Sequence, residues 1–288
     1  MPRIRRCDGR LGWRYGSGSV RAVQPTVAEA IALQEELRRL VDTTDHSPRP
    51  PRYVAGLDVA YDGDEYAAAV VVLEVIRPAG GVRRVTASAS APAQEVNQAA
   101  DGSRPATAST PVRPQEVDRA QPAVAVQLRE VDRAVVRGRT SFPYVPGLFA
   151  FREVPGLLAA LERLRVTPEL LVCDGQGLAH PRRFGLACHL GVVTGLSSIG
   201  VGKTVFVGAW EEPGAARGAA GELVLDGEVV GKVLRTQNKT KPVFVSVGHR
   251  VSLGTAVERV LELAPRYRLP ETTRAADRAC RDGVKGLG

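Results

Sequence analysis

The stretch DGQGLAHPRRFG, residues Asp174–Gly185, joins an apolar run to glycines, a histidine and two arginines. The apolar run, Leu170–Cys173, is short and lies between Pro168 and the glycines, which favours a buried strand over a helix. Asp174 then stands at the carboxyl end of the strand, the edge at which open α/β sheets bind ligands. A charged carboxylate there needs a cation or a partner, although Asp174 is equally consistent with a cap on the following turn.

The chain has 288 residues and 44% hydrophobic content, enough for one good core in a single α/β domain. Its net charge of +8 is unevenly spread, because residues 1–22 hold six arginines and one acid and so contribute +5. We predict a basic, disordered tail over residues 1–24, with an arm that binds phosphates nonspecifically as the alternative. The charge therefore permits a polyanionic partner without requiring one.

The cysteines and the hydropathy pattern indicate the class of protein. The four cysteines are Cys7, Cys173, Cys188 and Cys280, and without a C-x-x-C pair they predict neither a disulfide framework nor a zinc ribbon. The longest candidate for a membrane span, Leu190–Trp210, is interrupted by glycines and by Lys203, and the amino terminus lacks the apolar core of a secretory signal. We expect a soluble, cytoplasmic monomer with reduced thiols and no membrane partner.

Apolar periodicity predicts the secondary structure. Helices are expected over Pro25–Val41, Phe149–Arg165, Ser252–Leu263 and Thr272–Arg281, with a kink or restart at Pro155. Strands are expected over Tyr53–Ala60, Tyr66–Ile76, Leu170–Cys173, Leu196–Val201 and Val243–Val247, and a hairpin over Leu223–Leu234 around Asp226 and Gly227. Hairpins first, and helices alternating with strands later, predict a mixed sheet covered by helices on both faces.

The domain organisation follows from a change in composition. From about residue 78 to 122 the chain is rich in Ala, Pro, Ser, Gln and Thr and has almost no aliphatic periodicity. Such a segment cannot bury enough apolar surface to offset its ordering entropy, so we expect a disordered insertion. The prediction is one domain over residues 25–282, interrupted by this insertion and followed by a tail over residues 283–288.

Two further acids could share a site with Asp174. Asp58 lies within GLDVAY, where strand alternation points it away from the side on which Leu57 and Val59 lie. Glu153 lies near a helix start, where the helix dipole favours a glutamate without any functional role. If the three acids converge, they could hold Mg²⁺ or Mn²⁺, which would activate water and offset charge on a phosphate under attack. Spacing along the chain does not establish that convergence.

Six ordered blocks carry a resemblance to a known family. They are GLDVAY, FPYVPGLFAFRE, CDGQGLAHPRRFGLACHLGV, SIGVGKT, VSVGHRVS and YRLPETTRAADR, and they reach from about Tyr53 to Arg278 apart from the insertion. In this order they resemble the endonuclease V family of deoxyinosine-directed nucleases. The resemblance implies an α/β, ribonuclease H-like fold with a mixed β-sheet flanked by helices on both faces.

The resemblance also implies the roles of individual residues. The metal-binding acids would be Asp58, Glu153 and Asp174, holding Mg²⁺ with Mn²⁺ as a substitute. Asp277 would complete the site, with a solvated helix residue as the alternative. His180 would lie near the lesion and the scissile strand, and Lys203 near the phosphate, where an ammonium group can stabilise developing charge.

Further residues would contact damaged DNA. Pro143, Tyr144, Val145 and Pro146 would form a wedge beside the damaged base while the lesion turns out into a pocket. The glycines that would let the backbone approach the flipped hypoxanthine are Gly147, Gly175, Gly177 and Gly185. Arg182 and Arg183 would bind backbone phosphates or support the structure, and His249 would have a structural or a phosphate-contact role.

The implied activity is that of a DNA repair endonuclease. It would hydrolyse the second phosphodiester bond 3′ to deoxyinosine and leave 3′-hydroxyl and 5′-phosphate ends. An endoribonuclease specific for inosine in RNA and a non-catalytic nucleic-acid-binding module are the alternatives. A P-loop NTPase is disfavoured, because Ser197 stands where the first glycine of that motif is required before Gly202 and Lys203.

Overall fold

A computed structural model of the chain describes residues 25–46, 50–78 and 126–285. Its strands are β1 (Tyr53–Asp62), β2 (Glu65–Ile76), β3 (Gln127–Arg139), β4 (Leu170–Asp174), β5 (Ser197–Gly202), β6 (Ala209–Trp210), β7 (Ala220–Leu225), β8 (Glu228–Leu234) and β9 (Val243–His249). Its helices are α1 (Val27–Arg38), α2 (Ala150–Glu162), α3 (Leu186–Thr194), α4 (Leu253–Leu263) and α5 (Glu271–Lys285). The predicted tail over residues 1–24 and, apart from Pro78, the predicted insertion lie outside the described residues.

All strands in the described ranges belong to one sheet, in the order β3-β2-β1-β4-β5-β9-β8-β7-β6. The central strands β1, β4 and β5 run parallel, and the other neighbours pair antiparallel. Side chains alternate between the two faces, so Ala55 of β1 packs with α2 and α3 while its neighbour Val54 packs with α4. Helix α5 covers β2 on the face that carries Ala67 and Ala69. The predicted mixed sheet with helices on both faces is confirmed.

Three elements were not predicted from the sequence, and the shortest of them is the two-residue strand β6. Strand β3 is an edge strand whose charged residues obscure alternation, and it bonds along its length to β2 alone. Helix α3, with the sequence LACHLGVVT, is buried nearly all round and therefore has no polar face to reveal its period. Helix α2 runs from Ala150 to Glu162 with Pro155 inside it, so the helix does not restart at that proline.

Helix α5 continues beyond the predicted boundary at residue 282. It extends to Lys285, and Gly283 within this extension is buried so close to the sheet that a Cβ there would be 2.8 Å from the Ala67 Cβ. Among the described residues no helix is long and apolar enough to cross a membrane. Cys173, Cys188 and Cys280 are buried and free, and Cys7 lies outside the described ranges.

The packing of α5 on β1 generates a stability prediction. A Cβ at Gly56 would lie 2.0 Å from the Thr272 carbonyl oxygen, so Gly56→Ala must push α5 away from the sheet. We expect the free energy of unfolding to fall by about 1–3 kcal/mol, as for other overpacked cores, in a urea titration. Gly254→Ala in α4 is the control, because its Cβ meets nothing within 4 Å. Equal stability of the two variants would contradict the prediction.

Candidate active site

The strand register brings two of the predicted acids together. Strands β1 and β4 pair in parallel with Leu57 opposite Cys173, so the next residues, Asp58 and Asp174, are neighbours across the ladder. Strand β5 continues the parallel set with Val201 opposite Asp174, and Lys203 follows its end. The Lys203 ammonium forms an ion pair with the Asp174 carboxylate. These groups therefore lie at the carboxyl edge of the three parallel strands, the position expected for a ligand site.

Asp58 is a partly buried carboxylate with few partners. The Val59 backbone N–H donates to Oδ1 at 2.9 Å, and the Cys280 thiol lies 3.8 Å from Oδ2. Burial and, next, the negative charge of Asp174 raise the pKa of Asp58 to about 7. The charged form of Asp58 is therefore disfavoured unless a cation is supplied.

Glu153 lies in the first turn of α2 and is 4% exposed. Burial raises its pKa well above the ordinary value, and the charges of Asp58 and then Asp174 raise it further. Asp58, Glu153 and Asp174 thus act electrostatically on one another, and we call them the acid cluster. The three acids belong to different elements and are far apart in sequence, so folding brings them close enough to interact. The sequence alone left this convergence open.

Asp277 lies next to the acid cluster. Helix α5 packs along β1, and the charge of Asp277 contributes to the raised pKa of Asp58. Arg281, one turn further along α5, donates from Nε to Asp277 Oδ1 at 3.0 Å. Burial lowers the pKa of Lys203, but the hydrogen bond and charge of Asp174, followed by the charges of Asp58 and Asp277, outweigh it and raise that pKa.

The acid cluster fits a divalent cation by the chemistry of its donors. In the part of the chain that the structure describes, no three or more His, Cys, Asp or Glu side chains stand arranged to hold a metal ion. The cluster nevertheless offers carboxylate oxygens that repel one another, and Mg²⁺ and Mn²⁺ prefer such ligands. Burial and, next, mutual repulsion raise the pKa of Asp58 and of Glu153, and an ion at this edge would offset that repulsion.

The predicted wedge forms an exposed loop, which we call the Tyr144 loop (residues 143–147). Tyr144 is 71% exposed, and its ring packs edge-on against Phe149 at 5.9 Å between centroids. Phe149 in turn contacts Tyr61, three residues beyond Asp58 on β1, at 6.0 Å. This row of aromatic rings connects the loop to the strand that carries the acid cluster.

The carbonyl oxygen of Gly147 anchors the Tyr144 loop. It accepts hydrogen bonds from Gln34 Nε2 at 3.0 Å, from His180 Nε2 at 3.0 Å and from Arg182 Nη2 at 2.7 Å. Gly147 itself has a φ of +79°, a conformation that glycine adopts without strain. Gln34 is fully buried on α1 and was not predicted, because a single glutamine in an amphipathic helix gives no signal of function.

His180 is a buried, neutral histidine. Its Nδ1 accepts the backbone N–H of Arg182 at 3.2 Å, so Nε2 carries the proton that is donated to Gly147. Burial, followed by the charge of Arg182, lowers the pKa of His180 to about 4. Both ring nitrogens thus bond to the backbone, and the predicted catalytic role of His180 stays a prediction.

Two of the predicted lesion-binding glycines are already required by packing within the chain. A Cβ at Gly177 would lie 2.0 Å from the Val247 carbonyl oxygen, and one at Gly185 would lie 2.3 Å from that of Gln176. Gly175 is less crowded, since its Cβ would meet the Leu186 side chain at 3.4 Å. The approach of these glycines to a flipped base stays a prediction.

Arg183 and His249 make contacts within the protein. The buried Arg183 donates from Nη2 to the Leu225 carbonyl at 2.8 Å and to Glu228 at 3.3 Å. Nδ1 of His249, the last residue of β9, accepts the Asp42 backbone N–H at 3.1 Å. Their predicted phosphate contacts stay predictions. A P-loop is excluded, because Lys203 follows a strand and no helix begins there.

Comparisons with known proteins agree with this geometry. The family model for Endonuclease V matches residues 113–278. Endonuclease V of Nocardia farcinica is 50% identical over 266 residues, which cover 91% of this chain and 94% of that protein. The crystal structure of Endonuclease V from Streptomyces avermitilis, 44% identical, covers 93% of this chain and 97% of its own with a TM-score of 0.72. The ribonuclease H-like fold that the resemblance implied is confirmed.

A more distant structure contains a nucleic acid. It is Endonuclease V of Ciona intestinalis in complex with a 24mer DNA containing an inosine followed by a ribo-adenosine. It is 25% identical to this chain, covers 91% of it and 99% of its own length, and has a TM-score of 0.64.

The raised pKa of Asp58 predicts how stability depends on pH. The folded-state pKa of about 7 lies above the ordinary 3.8, so folding is disfavoured progressively as pH rises between these values. In EDTA, we expect the free energy of unfolding of the wild type to fall more steeply from pH 5 to pH 7 than that of Asp58→Asn. Asp282→Asn, an exposed change on α5, should behave like the wild type. Parallel curves for the wild type and Asp58→Asn would contradict the prediction.

The anchor at Gly147 predicts a stabilising role for Gln34. Gln34→Leu removes the donor to the Phe184 carbonyl and the acceptor for Arg182 Nε, and it removes one of the three donors to the Gly147 carbonyl. We expect the free energy of unfolding to fall by about 1–3 kcal/mol in a urea titration. Glu35→Leu, an exposed change on the same helix, serves as the control. If Glu35→Leu lowered the free energy of unfolding as much as Gln34→Leu, the prediction that the Gln34 hydrogen bonds stabilise the protein would be contradicted.

Proposed function

This chain belongs to the endonuclease V family, and we propose that it is a DNA repair endonuclease that recognises deoxyinosine. The observation that carries the proposal is the acid cluster at the carboxyl edge of β1 and β4, connected by packed aromatic rings to an exposed tyrosine. The inosine-containing DNA bound by the Ciona intestinalis relative supports the choice of substrate.

We propose that Asp58, Glu153 and Asp174 hold Mg²⁺, with Asp277 as a further ligand and Mn²⁺ as a substitute. When bound, the ion supplies a water molecule of lowered pKa and offsets negative charge on the phosphate. The buried acid cluster supports this role, because its carboxylates can all be charged together only when a cation shares their edge of the sheet. Lys203 places an ammonium group at the same edge, where it stabilises charge on the attacked phosphate.

The Tyr144 loop supplies the wedge in this proposal. Its exposed ring is held against Phe149, and its backbone is tied to α1 and to the segment after β4 through the Gly147 carbonyl. A ring held in this way can occupy the space of an extruded base without losing much conformational freedom on binding. His180, neutral at pH 7, orients the loop by donating to Gly147. Gly147, Gly175, Gly177 and Gly185 form the backbone around the extruded hypoxanthine.

Cleavage is proposed at the second phosphodiester bond 3′ to deoxyinosine, with 3′-hydroxyl and 5′-phosphate products. Inosine in RNA is the second candidate substrate. The observation that favours it is the ribo-adenosine that follows the inosine in the DNA bound by the Ciona intestinalis relative.

A cleavage assay tests the proposed function. We expect the protein with Mg²⁺ to cut a 5′-labelled strand containing one deoxyinosine between the first and the second nucleotide 3′ to the lesion, and to leave the adenine strand intact. EDTA should abolish cutting and Mn²⁺ should restore it. Asp58→Asn and Asp174→Asn should each lower the rate by about 10²-fold or more, because each removes charge that positions the cation.

The matched control is Asp282→Asn, which removes an exposed carboxylate from α5 and should cut at the wild-type rate. A matched RNA strand with one inosine identifies the preferred sugar by the ratio of kcat/KM values. If the deoxyinosine strand stays uncut and the RNA strand is cut, the substrate is inosine in RNA and the deoxyinosine proposal is wrong. Failure to cut either strand in Mg²⁺ or Mn²⁺ would refute the nuclease proposal.

A further inference from the structure

Helix α5 presents a row of arginines on one face. Arg274, Arg278 and Arg281 are spaced four and three residues apart, so they follow one another along the helix surface. The opposite face is apolar, and its alanines together with Cys280 pack against β2. The row is therefore fixed in orientation by the packing of the helix on the sheet.

This row borders a cavity at the candidate active site. The cavity has a volume of about 190 Å³, and its charged lining consists of Asp174, Lys203, Arg274, Asp277, Arg278 and Arg281. It shares Asp174 with the acid cluster and Asp277 with the proposed metal ligands. Four cations face two carboxylates, so the lining carries excess positive charge right beside the acids.

Three of these four cations are engaged within the protein. Lys203 pairs with Asp174, and Arg281 pairs with Asp277 at 3.0 Å. Arg274 lies over the Tyr267 ring at 3.7 Å from its centroid. Arg278 is exposed, and within the described ranges of the chain its side chain makes neither a hydrogen bond nor an ion pair. Arg278 therefore supplies a guanidinium group that is available to a ligand of the cavity.

On the basis of the proposed function, we infer that Arg278 binds a backbone phosphate of the strand that is cut, next to the scissile bond. A phosphodiester strand that reaches the acid cluster brings an anion at every nucleotide, and the arginine-lined cavity opens directly beside that cluster. A planar guanidinium matches the oxygens of a phosphate with two parallel hydrogen bonds. The contact is with the backbone, so it positions the strand without reading the base.

Salt-dependent binding tests the inference. Arg278→Ala is compared with the wild type and with Lys285→Ala, which removes an exposed cation from the same helix outside the cavity. Dissociation constants for a deoxyinosine strand and its adenine counterpart are measured by fluorescence anisotropy in EDTA over a range of salt concentrations. We expect Arg278→Ala to weaken binding of both strands roughly tenfold and to reduce the slope of log K against log salt by about 1.

A second measurement locates the phosphate. Single methylphosphonate substitutions, which neutralise one phosphate each, are placed along the deoxyinosine strand. When the neutralised phosphate is the one that Arg278 binds, next to the scissile bond, Arg278→Ala and the wild type should bind the strand equally tightly. When any other phosphate is neutralised, Arg278→Ala should still bind more weakly than the wild type. Arg278→Lys should retain the salt slope of the wild type, because the cation is kept.

The outcomes separate this inference from the proposed function. An unchanged salt slope in Arg278→Ala, or an equal reduction in Lys285→Ala, overturns the inference even if the wild type cuts deoxyinosine DNA. A reduced slope that is specific to Arg278→Ala supports the phosphate contact. If the wild type then cuts no strand in Mg²⁺ or Mn²⁺, the nuclease proposal alone has failed. Because Arg278 is exposed, we expect Arg278→Ala to unfold at the same urea midpoint as the wild type, and this measurement verifies that the variant is folded.

Discussion

The mutual repulsion of buried carboxylates at one edge of the sheet is the constraint on which the rest of the site depends. Asp58 and Asp174 become neighbours only because β1 and β4 pair in parallel, and Glu153 joins them from a helix on the sheet. Together the three acids are unfavourable unless positive charge is close by. The chain supplies Lys203 from the end of β5, and α5 adds arginines at the rim of the same cavity.

Much of the fold could be predicted because its central elements have strong local signals. The four apolar residues before Asp174 form β4, and the Asp226-Gly227 pair turns the β7–β8 hairpin with positive φ at both residues. Strand β3 and helix α3 lacked such signals for opposite physical reasons. The edge strand is too polar to show alternation clearly, whereas the buried helix is too apolar to show a period.

The candidate site was less accessible to sequence reasoning, because convergence depends on pairing between distant segments. Local patterns made Asp58, Glu153 and Asp174 separate candidates, but nothing in their spacing indicates that they interact, and only the family resemblance implied a shared metal site. The arginine row of α5 does have a readable helical spacing. Its position beside the acids, however, follows from the close approach of α5 to Gly56 of β1, which no local pattern encodes. Gln34 acquires its role only where α1 meets Gly147 and Phe184, over 100 residues away in sequence.

The threefold acceptor at the Gly147 carbonyl has a consequence for protein engineering. The tetrapeptide before it could be mistaken for a portable module, since its prolines make it locally stiff. Its donors come from an amino-terminal helix and from the segment that follows a central strand, so they would be left behind if the tetrapeptide were grafted onto another scaffold. Transplanting the loop would therefore require its three distant donors to be transplanted with it.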